Sequence, residues 1–296
     1  MRQPGRLLTA MVTPFKDNGE VDYEQAKKLA LALLDSGSDG LVVVGTTGES
    51  PTLLRQEEMC LFTEIKEVIG DRGTIIAGTG SNSTAEAVEA TSEAEKIEVD
   101  ACLLVVPYYN KPSQEGLYQH FKTIAQSTSL PCILYNVPSR TVTSLSVDTI
   151  VRLSQIDNII GLKEASGNLD QVAKVVSNAR EGFLVWSGND TDTFALMALG
   201  GYGIISVVSH LVGKQINQMI DYMVAGKVAE AAAIHRHLLP LVNSMFVVSN
   251  PCPLKYALNQ VGFRVGKPRL PLVEPDEKSA AAIRDTLKNY TIDLPV

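Results

Sequence analysis

The chain has 296 residues, 45% of them hydrophobic and 20% charged, as expected of a globular protein with a sizeable core. Its formal net charge of −7 argues against nucleic acid or an anionic membrane as the main partner, yet a locally basic site can still bind a small anionic substrate. The sequence has no apolar run near the roughly 20 residues that span a bilayer and no signal-peptide pattern, so we expect a cytoplasmic protein.

Short apolar runs recur along the first three quarters of the chain, and each is continuous rather than alternating. Continuous runs of this length are typical of strands covered on both faces, as in a parallel sheet. They predict strands at residues 7–12, 40–45, 74–78, 101–106, 132–136, 159–163, 183–187 and 203–207.

Amphipathic helical patterns lie between these runs. The first two end at Gly37 and Gly70, and the third begins with Ser83 or Thr84 as a plausible N-cap. This alternation predicts the α/β class, and specifically a (β/α)8 TIM barrel. The alternative is a doubly wound open sheet, which usually has fewer strands and a Gly-rich turn where this chain has "TPF".

Only helical patterns follow residue 226. They lie at 227–246, 251–262 and 275–290. We therefore predict two domains, a (β/α)8 barrel catalytic domain at residues 1–226 and a C-terminal helical domain at 227–296 that packs on the barrel.

Polar side chains cluster where the predicted strands end, which is the face that carries the active site in such barrels. Two hydroxyls, three tyrosines, one arginine and one lysine are expected to converge there: Thr46, Thr47, Tyr108, Tyr109, Tyr135, Arg140 and Lys163.

This composition suits carbonyl chemistry. A lysine in a water-poor pocket loses its proton more easily, and a neutral amine can form a Schiff base with a ketone. A tyrosine linked to a threonine hydroxyl can then move protons, and the backbone N–H groups of "GTTG" can hold a carboxylate. The residues alone leave an alternative open, because a lone lysine at a strand end is often a salt-bridged rim residue.

Other catalytic classes have less support in the sequence. The four histidines show no H-E-x-x-H spacing, and His210 alone is expected near the barrel mouth. A serine triad lacks a G-x-S-x-G motif. We expect neither a metal nor a cofactor.

Three motifs together resemble the dihydrodipicolinate synthase family of pyruvate-dependent class I aldolases. They are "GTTGE" (45–49), "YNVPSRT" (135–141) and "GLKEASGN" (161–168), and the similarity extends over essentially the whole chain, including residues 107–121 and 187–190. The resemblance implies a (β/α)8 barrel with a C-terminal helical domain, usually assembled as a homotetramer of two tight dimers.

The resemblance also implies the catalytic roles. Lys163 forms a Schiff base with pyruvate, and Tyr135 is the proton shuttle beside it. Thr46 links Tyr135 to Tyr109, which a neighbouring subunit contributes across the tight-dimer interface.

The substrate-binding residues follow from the same resemblance. Thr47 binds the pyruvate carboxylate, Arg140 holds the carboxylate of the second substrate, and Gly188 and Ile205 make main-chain contacts. Because a guanidinium matches a carboxylate bidentately, Arg140 favours L-aspartate-4-semialdehyde and a place in diaminopimelate and lysine biosynthesis. The alternatives are another pyruvate-dependent aldolase, lyase or hydratase, of the sugar-acid or N-acetylneuraminate type, and a non-catalytic pyruvate-binding regulator.

Many relatives are inhibited by L-lysine at the tight-dimer interface. The matching positions are Ser50, Pro51, Arg55, Glu58, Asn82, Glu86 and Tyr108. The last three agree with the inhibited pattern, whereas Arg55 and Glu58 replace histidines found in some relatives. Lysine inhibition is therefore a hypothesis.

Overall fold

A computed structural model describes residues 3–295 and contains a closed barrel of eight parallel strands. Each strand pairs with its neighbour in the sequence, and β8 pairs with β1 to close the barrel. The strands are β1 (Leu7–Ala10), β2 (Gly40–Val43), β3 (Thr74–Gly78), β4 (Ala101–Val105), β5 (Cys132–Asn136), β6 (Ile159–Glu164), β7 (Leu184–Ser187) and β8 (Gly203–Ser206). The predicted fold class is confirmed, with strand ends shifted by at most two residues.

The barrel is packed on both sides of its wall, which explains the continuous apolar runs. One cluster of buried side chains fills the interior and includes Leu8, Val42, Ile133, Trp186 and Ile205. A second, larger cluster lies between the wall and the surrounding helices. Successive residues of a strand point to opposite sides of the wall. Because both sides are buried, the inward-facing and the outward-facing residues of each strand are apolar.

Nine helices accompany the strands within residues 3–224. They are α1 (Tyr23–Asp35), α2 (Arg55–Ile69), α3 (Thr84–Lys96), α4 (Gln114–Gln126), α5 (Pro138–Thr141), α6 (Val147–Leu153), α7 (Leu169–Asn178), α8 (Thr193–Ala198) and α9 (Ser209–Val224). Of the two predicted N-caps, Ser83 is the one used, and its hydroxyl accepts from the Glu86 N–H. Gly70 follows α2 in the left-handed region at φ +49°, as expected for a helix stop.

Three helices follow the barrel: α10 (Val228–Ser244), α11 (Cys252–Gln260) and α12 (Glu277–Leu287). Helix α10 packs on α9 and α8, so the C-terminal helices lie against the barrel as predicted. The division at residue 226 stays a prediction. Among residues 3–295, no helix combines the length and apolar character needed to cross a membrane.

Candidate active site

Lys163 lies at the carboxyl end of β6 and points into the barrel. It pairs in register with Tyr135 on β5, so the two side chains are neighbours on the inner face. Only 5% of Lys163 is exposed, and its Nζ lies 4.3 Å from the centroid of the Tyr135 ring. The lysine is therefore a buried interior residue and not a salt-bridged residue of the rim.

The surroundings of Lys163 favour its neutral amine. Burial lowers the pKa of Lys163 from 10.5 to about 7, because the charged form loses its hydration. The Asp190 carboxylate opposes this shift, whereas the Arg140 guanidinium adds to it. A substantial fraction of the amine is thus unprotonated near neutral pH, as nucleophilic attack on a carbonyl requires.

Tyr135 and Thr46 share a small cavity of about 40 Å³. Tyr135 is 7% exposed, and burial raises the pKa of its phenol, with the Arg140 charge and the Thr46 hydroxyl acting in the opposite direction. A phenol with a raised pKa keeps its proton at neutral pH. It can therefore donate a proton and take it back at a reacting atom beside Lys163.

Asn250 contacts both Arg140 and Thr47. Its role was not predicted from the sequence. Its side-chain Nδ2 donates to the Thr47 Oγ1 at 2.9 Å, and its main-chain oxygen accepts from the Arg140 Nη2 at 3.3 Å. The two expected carboxylate-binding residues thus share a contact from the C-terminal helical region. Nothing near Asn250 in the sequence indicates this, because Thr47 precedes it by 203 positions.

A larger cavity of about 360 Å³ opens beside the Thr46–Tyr135 pair. Arg140 and Thr46 lie on its wall together with six of the seven expected lysine-binding residues: Ser50, Pro51, Arg55, Glu58, Glu86 and Tyr108. The seventh, Asn82, is not a lining residue, but its Nδ2 donates to the carbonyl of the lining residue Tyr108 at 3.1 Å. The sequence-predicted set therefore clusters around one cavity.

Charges of both signs face this cavity. The Arg55 Nη1 lies 2.7 Å from the Glu58 Oε2, and its Nε lies 3.5 Å from a Glu93 oxygen. Burial raises the pKa of Glu58 to about 7, an effect that Arg55 opposes. The cavity thus offers two guanidinium groups, Arg55 and Arg140, and two carboxylates, Glu58 and Glu86, to a ligand.

Tyr109 is largely exposed in the single chain, and its predicted contribution across the tight-dimer interface stays a prediction. Its side chain is 88% exposed, and it is not among the residues that line the two cavities described above. Its backbone lies in the left-handed region at φ +75°.

Gly188 directly follows β7 and lies close to Lys163, and Ile205 lies within β8. A Cβ on Gly188 would come within 3.2 Å of the Lys163 Cε and 2.7 Å of the Ala165 Cβ. The Gly188 N–H donates to the Glu164 carbonyl at 2.7 Å. Ile205 is fully buried in the interior cluster. Glycine at 188 therefore leaves room for the lysine side chain.

His210, the one histidine expected near the mouth, is engaged with the main chain at both ring nitrogens. Its Nε2 accepts from the Val12 N–H at 3.2 Å, and its Nδ1 donates to the Val207 carbonyl at 2.8 Å. Burial lowers the pKa of His210 to about 4. This histidine is neutral and holds the loop after β8 against β1.

Two further buried residues near the site were not predicted, Glu49 and Lys255. The Lys255 Nζ lies 2.8 Å from the Glu49 Oε1, and both side chains are inaccessible to solvent. Glu49 ends the "GTTGE" motif and Lys255 lies on α11. In the sequence, Lys255 looks like any polar residue of an amphipathic helix.

Comparisons with known proteins agree with this geometry. Residues 3–290 match the model of the dihydrodipicolinate synthetase family. A 4-hydroxy-tetrahydrodipicolinate synthase of Dehalococcoides mccartyi is 67% identical over the full length of both chains. The crystal structure of a dihydrodipicolinate synthase from Bacillus anthracis has a TM-score of 0.96 and 44% identity, and the alignment covers 98% of this chain and 99% of that one. A Cyanidioschyzon merolae enzyme with lysine bound has a TM-score of 0.95 at 44% identity, covering 96% and 97%.

Proposed function

This chain belongs to the dihydrodipicolinate synthetase family, and we propose that it condenses pyruvate with L-aspartate-4-semialdehyde through a Schiff base on Lys163. The observation that carries the proposal is the buried amine of Lys163 beside the Tyr135 ring. This is the 4-hydroxy-tetrahydrodipicolinate synthase reaction, and it gives the cyclic precursor used in diaminopimelate and lysine biosynthesis.

The residues divide the reaction between them. The Lys163 amine attacks the keto carbon of pyruvate, and loss of water leaves an iminium that draws electrons from the methyl carbon. Tyr135, next to Thr46, moves protons to the leaving water and from that carbon. Thr47 and the N–H groups of its turn hold the pyruvate carboxylate. The resulting enamine then attacks the aldehyde carbon of the second substrate.

The direct test is to trap the Schiff base. Borohydride reduction in the presence of pyruvate, followed by peptide mass mapping, should place a single adduct on Lys163. Lys255 is the internal control, because it is equally buried but already engaged with Glu49. An adduct on a different lysine, or none at all, contradicts the proposal.

Arg140 carries the choice of aldehyde. Its guanidinium is exposed to the 360 Å³ cavity, where it can bind a substrate carboxylate bidentately. We expect Arg140→Ala to lose activity with aspartate semialdehyde, whereas Arg152→Ala, an exposed arginine on α6, keeps it. Equal activity of the wild type with neutral sugar aldehydes would favour a sugar-acid aldolase instead.

L-lysine is the proposed inhibitor at the larger cavity. A lysine molecule carries two ammonium groups and a carboxylate, and this cavity offers Glu58 and Glu86 for the former and Arg55 for the latter. Titration of L-lysine into the steady-state assay should lower the rate at millimolar concentrations. Glu58→Gln should weaken that inhibition, whereas Glu67→Gln on the exposed face of α2 should not. An unchanged wild-type rate would remove this part of the proposal.

We also propose a tetramer of two tight dimers in which Tyr109 completes the site of a neighbouring subunit. The high exposure of Tyr109 in the single chain supports this assignment. Sedimentation should give the mass of four chains, and mixing Tyr109→Phe with Lys163→Met subunits should recover part of the activity lost by each. Full activity of Tyr109→Phe alone would contradict the exchange.

A cytoplasmic location belongs to the same proposal. It is supported by the four cysteines, Cys60, Cys102, Cys132 and Cys252, all of which are free thiols in the structure. Free thiols are typical of proteins in a reducing compartment.

A further inference from the structure

Glu49 ends the turn Gly45–Glu49, which carries Thr46 and Thr47, and its carboxylate is completely buried. The Oε1 accepts from the Lys255 Nζ at 2.8 Å, and the Oε2 accepts from the Arg269 N–H at 2.8 Å. Both partners come from the C-terminal region, more than 200 positions along the chain. A buried carboxylate needs such partners, because an unpaired charge in the interior is strongly disfavoured.

The turn itself is strained. Val44, the residue before it, has φ +61°, and Glu49 has φ +59°. Both values lie in the left-handed region, which residues other than glycine rarely adopt and which is especially unfavourable for a β-branched valine. Strained conformations persist only where the surrounding structure fixes them. The contacts of Glu49 are therefore needed to hold the turn.

Lys255 supplies several of these contacts at once. Besides Glu49, its Nζ donates to the carbonyl oxygens of Thr13 at 3.0 Å and Lys267 at 3.1 Å, which uses all three N–H bonds of the ammonium. The Thr13 hydroxyl in turn donates to the Gly48 carbonyl at 2.7 Å. One buried ammonium thus connects the loop after β1, the turn after β2 and the C-terminal region.

A hydrogen bond within the turn connects Glu49 to Thr46, next to Thr47. The Glu49 N–H donates to the Thr46 carbonyl at 3.1 Å, which closes the turn over Thr47. Thr47 is also held by the Asn250 amide, and Asn250 lies five positions before Lys255. A displacement of Glu49 would therefore move the groups that face the pyruvate carboxylate.

We propose that Glu49 and Lys255 are positioning residues for pyruvate binding, which act by holding the strained Gly45–Glu49 turn in the geometry that Thr46 and Thr47 need. This inference rests on the proposed function. It adds that the C-terminal helical region, which contributes no reacting group, sets the affinity for the first substrate.

The experiment compares Lys255→Met, Glu49→Gln and the double variant with the wild type. Lys267→Met is the matched control, because that lysine lies in the same region but its ammonium is exposed and paired with Glu274. Borohydride trapping at saturating pyruvate first counts the competent sites in each preparation. The KM for each substrate and kcat per competent site are then measured.

We expect each single variant to raise the KM for pyruvate about tenfold or more, since small displacements of positioning groups have effects of this size. The KM for the aldehyde should stay within about twofold, because Arg140 and its contact with Asn250 are unchanged. The double variant should be no worse than the single ones, since both changes break the same contact. Lys267→Met should match the wild type.

If the competent sites of the variants bind pyruvate as the wild type does, the ion pair serves stability alone and the inference is overturned. Additive effects in the double variant would overturn it as well. If a single variant does not fold, the double variant carries the test, because it leaves no unpaired buried charge. Absence of a wild-type adduct on Lys163 would instead overturn the proposed function, so the two failures are distinguishable.

Discussion

Two lysines are buried in the described part of the chain, but only one of them has acceptors there for its ammonium group. Lys163 and Lys255 are 5% and 0% exposed, and each amine lies over an aromatic ring, Tyr135 at 4.3 Å and Phe15 at 4.1 Å. Lys255 contacts a carboxylate and two carbonyl oxygens. For Lys163, by contrast, no residue in the range 3–295 forms a salt bridge with the amine.

The difference shows that two lysines can be similarly buried and still have different polar surroundings. Burial lowers the pKa of both lysines, but the Glu49 carboxylate opposes this effect directly at Lys255. Three acceptors hold Lys255 as an ammonium, and an ammonium has no lone pair to offer as a nucleophile. The proposed nucleophile is the buried lysine without a direct acceptor, whereas the lysine with acceptors is the one proposed to hold the turn.

Replacement of Lys163 should give the largest effect. We expect Lys163→Met to reduce the steady-state rate by about 10⁴-fold or more, because no other amine can form the Schiff base.

The same replacement should increase the free energy of unfolding. With a folded-state pKa of about 7, Lys163 binds its proton more weakly than in the unfolded chain, which disfavours folding below pH 10.5 and most fully below pH 7.

Denaturant unfolding at pH 6 should therefore show the variant more stable by roughly 3–5 kcal/mol. A variant that is less stable than the wild type at pH 6 would contradict the assignment of Lys163 as a neutral buried amine.

Replacement of Lys255 should lower the free energy of unfolding, whereas replacement of Lys163 should raise it. Lys255→Met leaves the Glu49 carboxylate buried without its ammonium partner, and such a change costs roughly 3–5 kcal/mol of unfolding free energy. The double variant Glu49→Gln/Lys255→Met should recover part of this loss, because no buried charge remains. A single variant that is as stable as the wild type would show that the ion pair contributes nothing to folding.

The pH dependence of pyruvate trapping should also differ between Lys163 and Lys255. The rate at which pyruvate is trapped on Lys163 should rise about tenfold per pH unit below pH 7 and level off above about pH 8, following the neutral amine. The peptide that contains Lys255 should stay unmodified over this range. A profile still rising at pH 10 would mean that Lys163 keeps the pKa of an exposed lysine.

The smallest effect is expected for a lysine that is neither buried nor reactive. Lys288 pairs with Asp285 at 2.7 Å, with side chains 72% and 75% exposed. Lys288→Met should leave activity, trapping and the unfolding transition unchanged within error, because solvent screens exposed pairs. A measurable loss of any of these would indicate that the surface of α12 contributes more than its contacts suggest.

Much of this molecule can be predicted from the sequence, for identifiable physical reasons. The eight strands are recognisable because both faces of each are buried, which leaves continuous apolar runs. Lys163 stands out because a lysine rarely follows such a run directly. Its neighbours Tyr135 and Thr46 follow from the rule that parallel strands present their carboxyl ends at one face.

The remainder depends on contacts between distant segments. Asn250, Lys255 and Arg269 contact the turn after β2 from more than 200 positions away, and no local pattern marks them. The left-handed backbone of Tyr109 is likewise not specified by the letters "PYYNKP".

The position of Lys255 and Arg269 near the end of the chain bears on protein synthesis. A ribosome delivers the amino terminus first, so all eight strands and the reactive amine emerge before the residues that hold the strained turn after β2. A product truncated near residue 226 would contain the nucleophile with a loosely held pyruvate site. Full activity would therefore be acquired only after the segment that contains Lys255 and Arg269 leaves the exit tunnel.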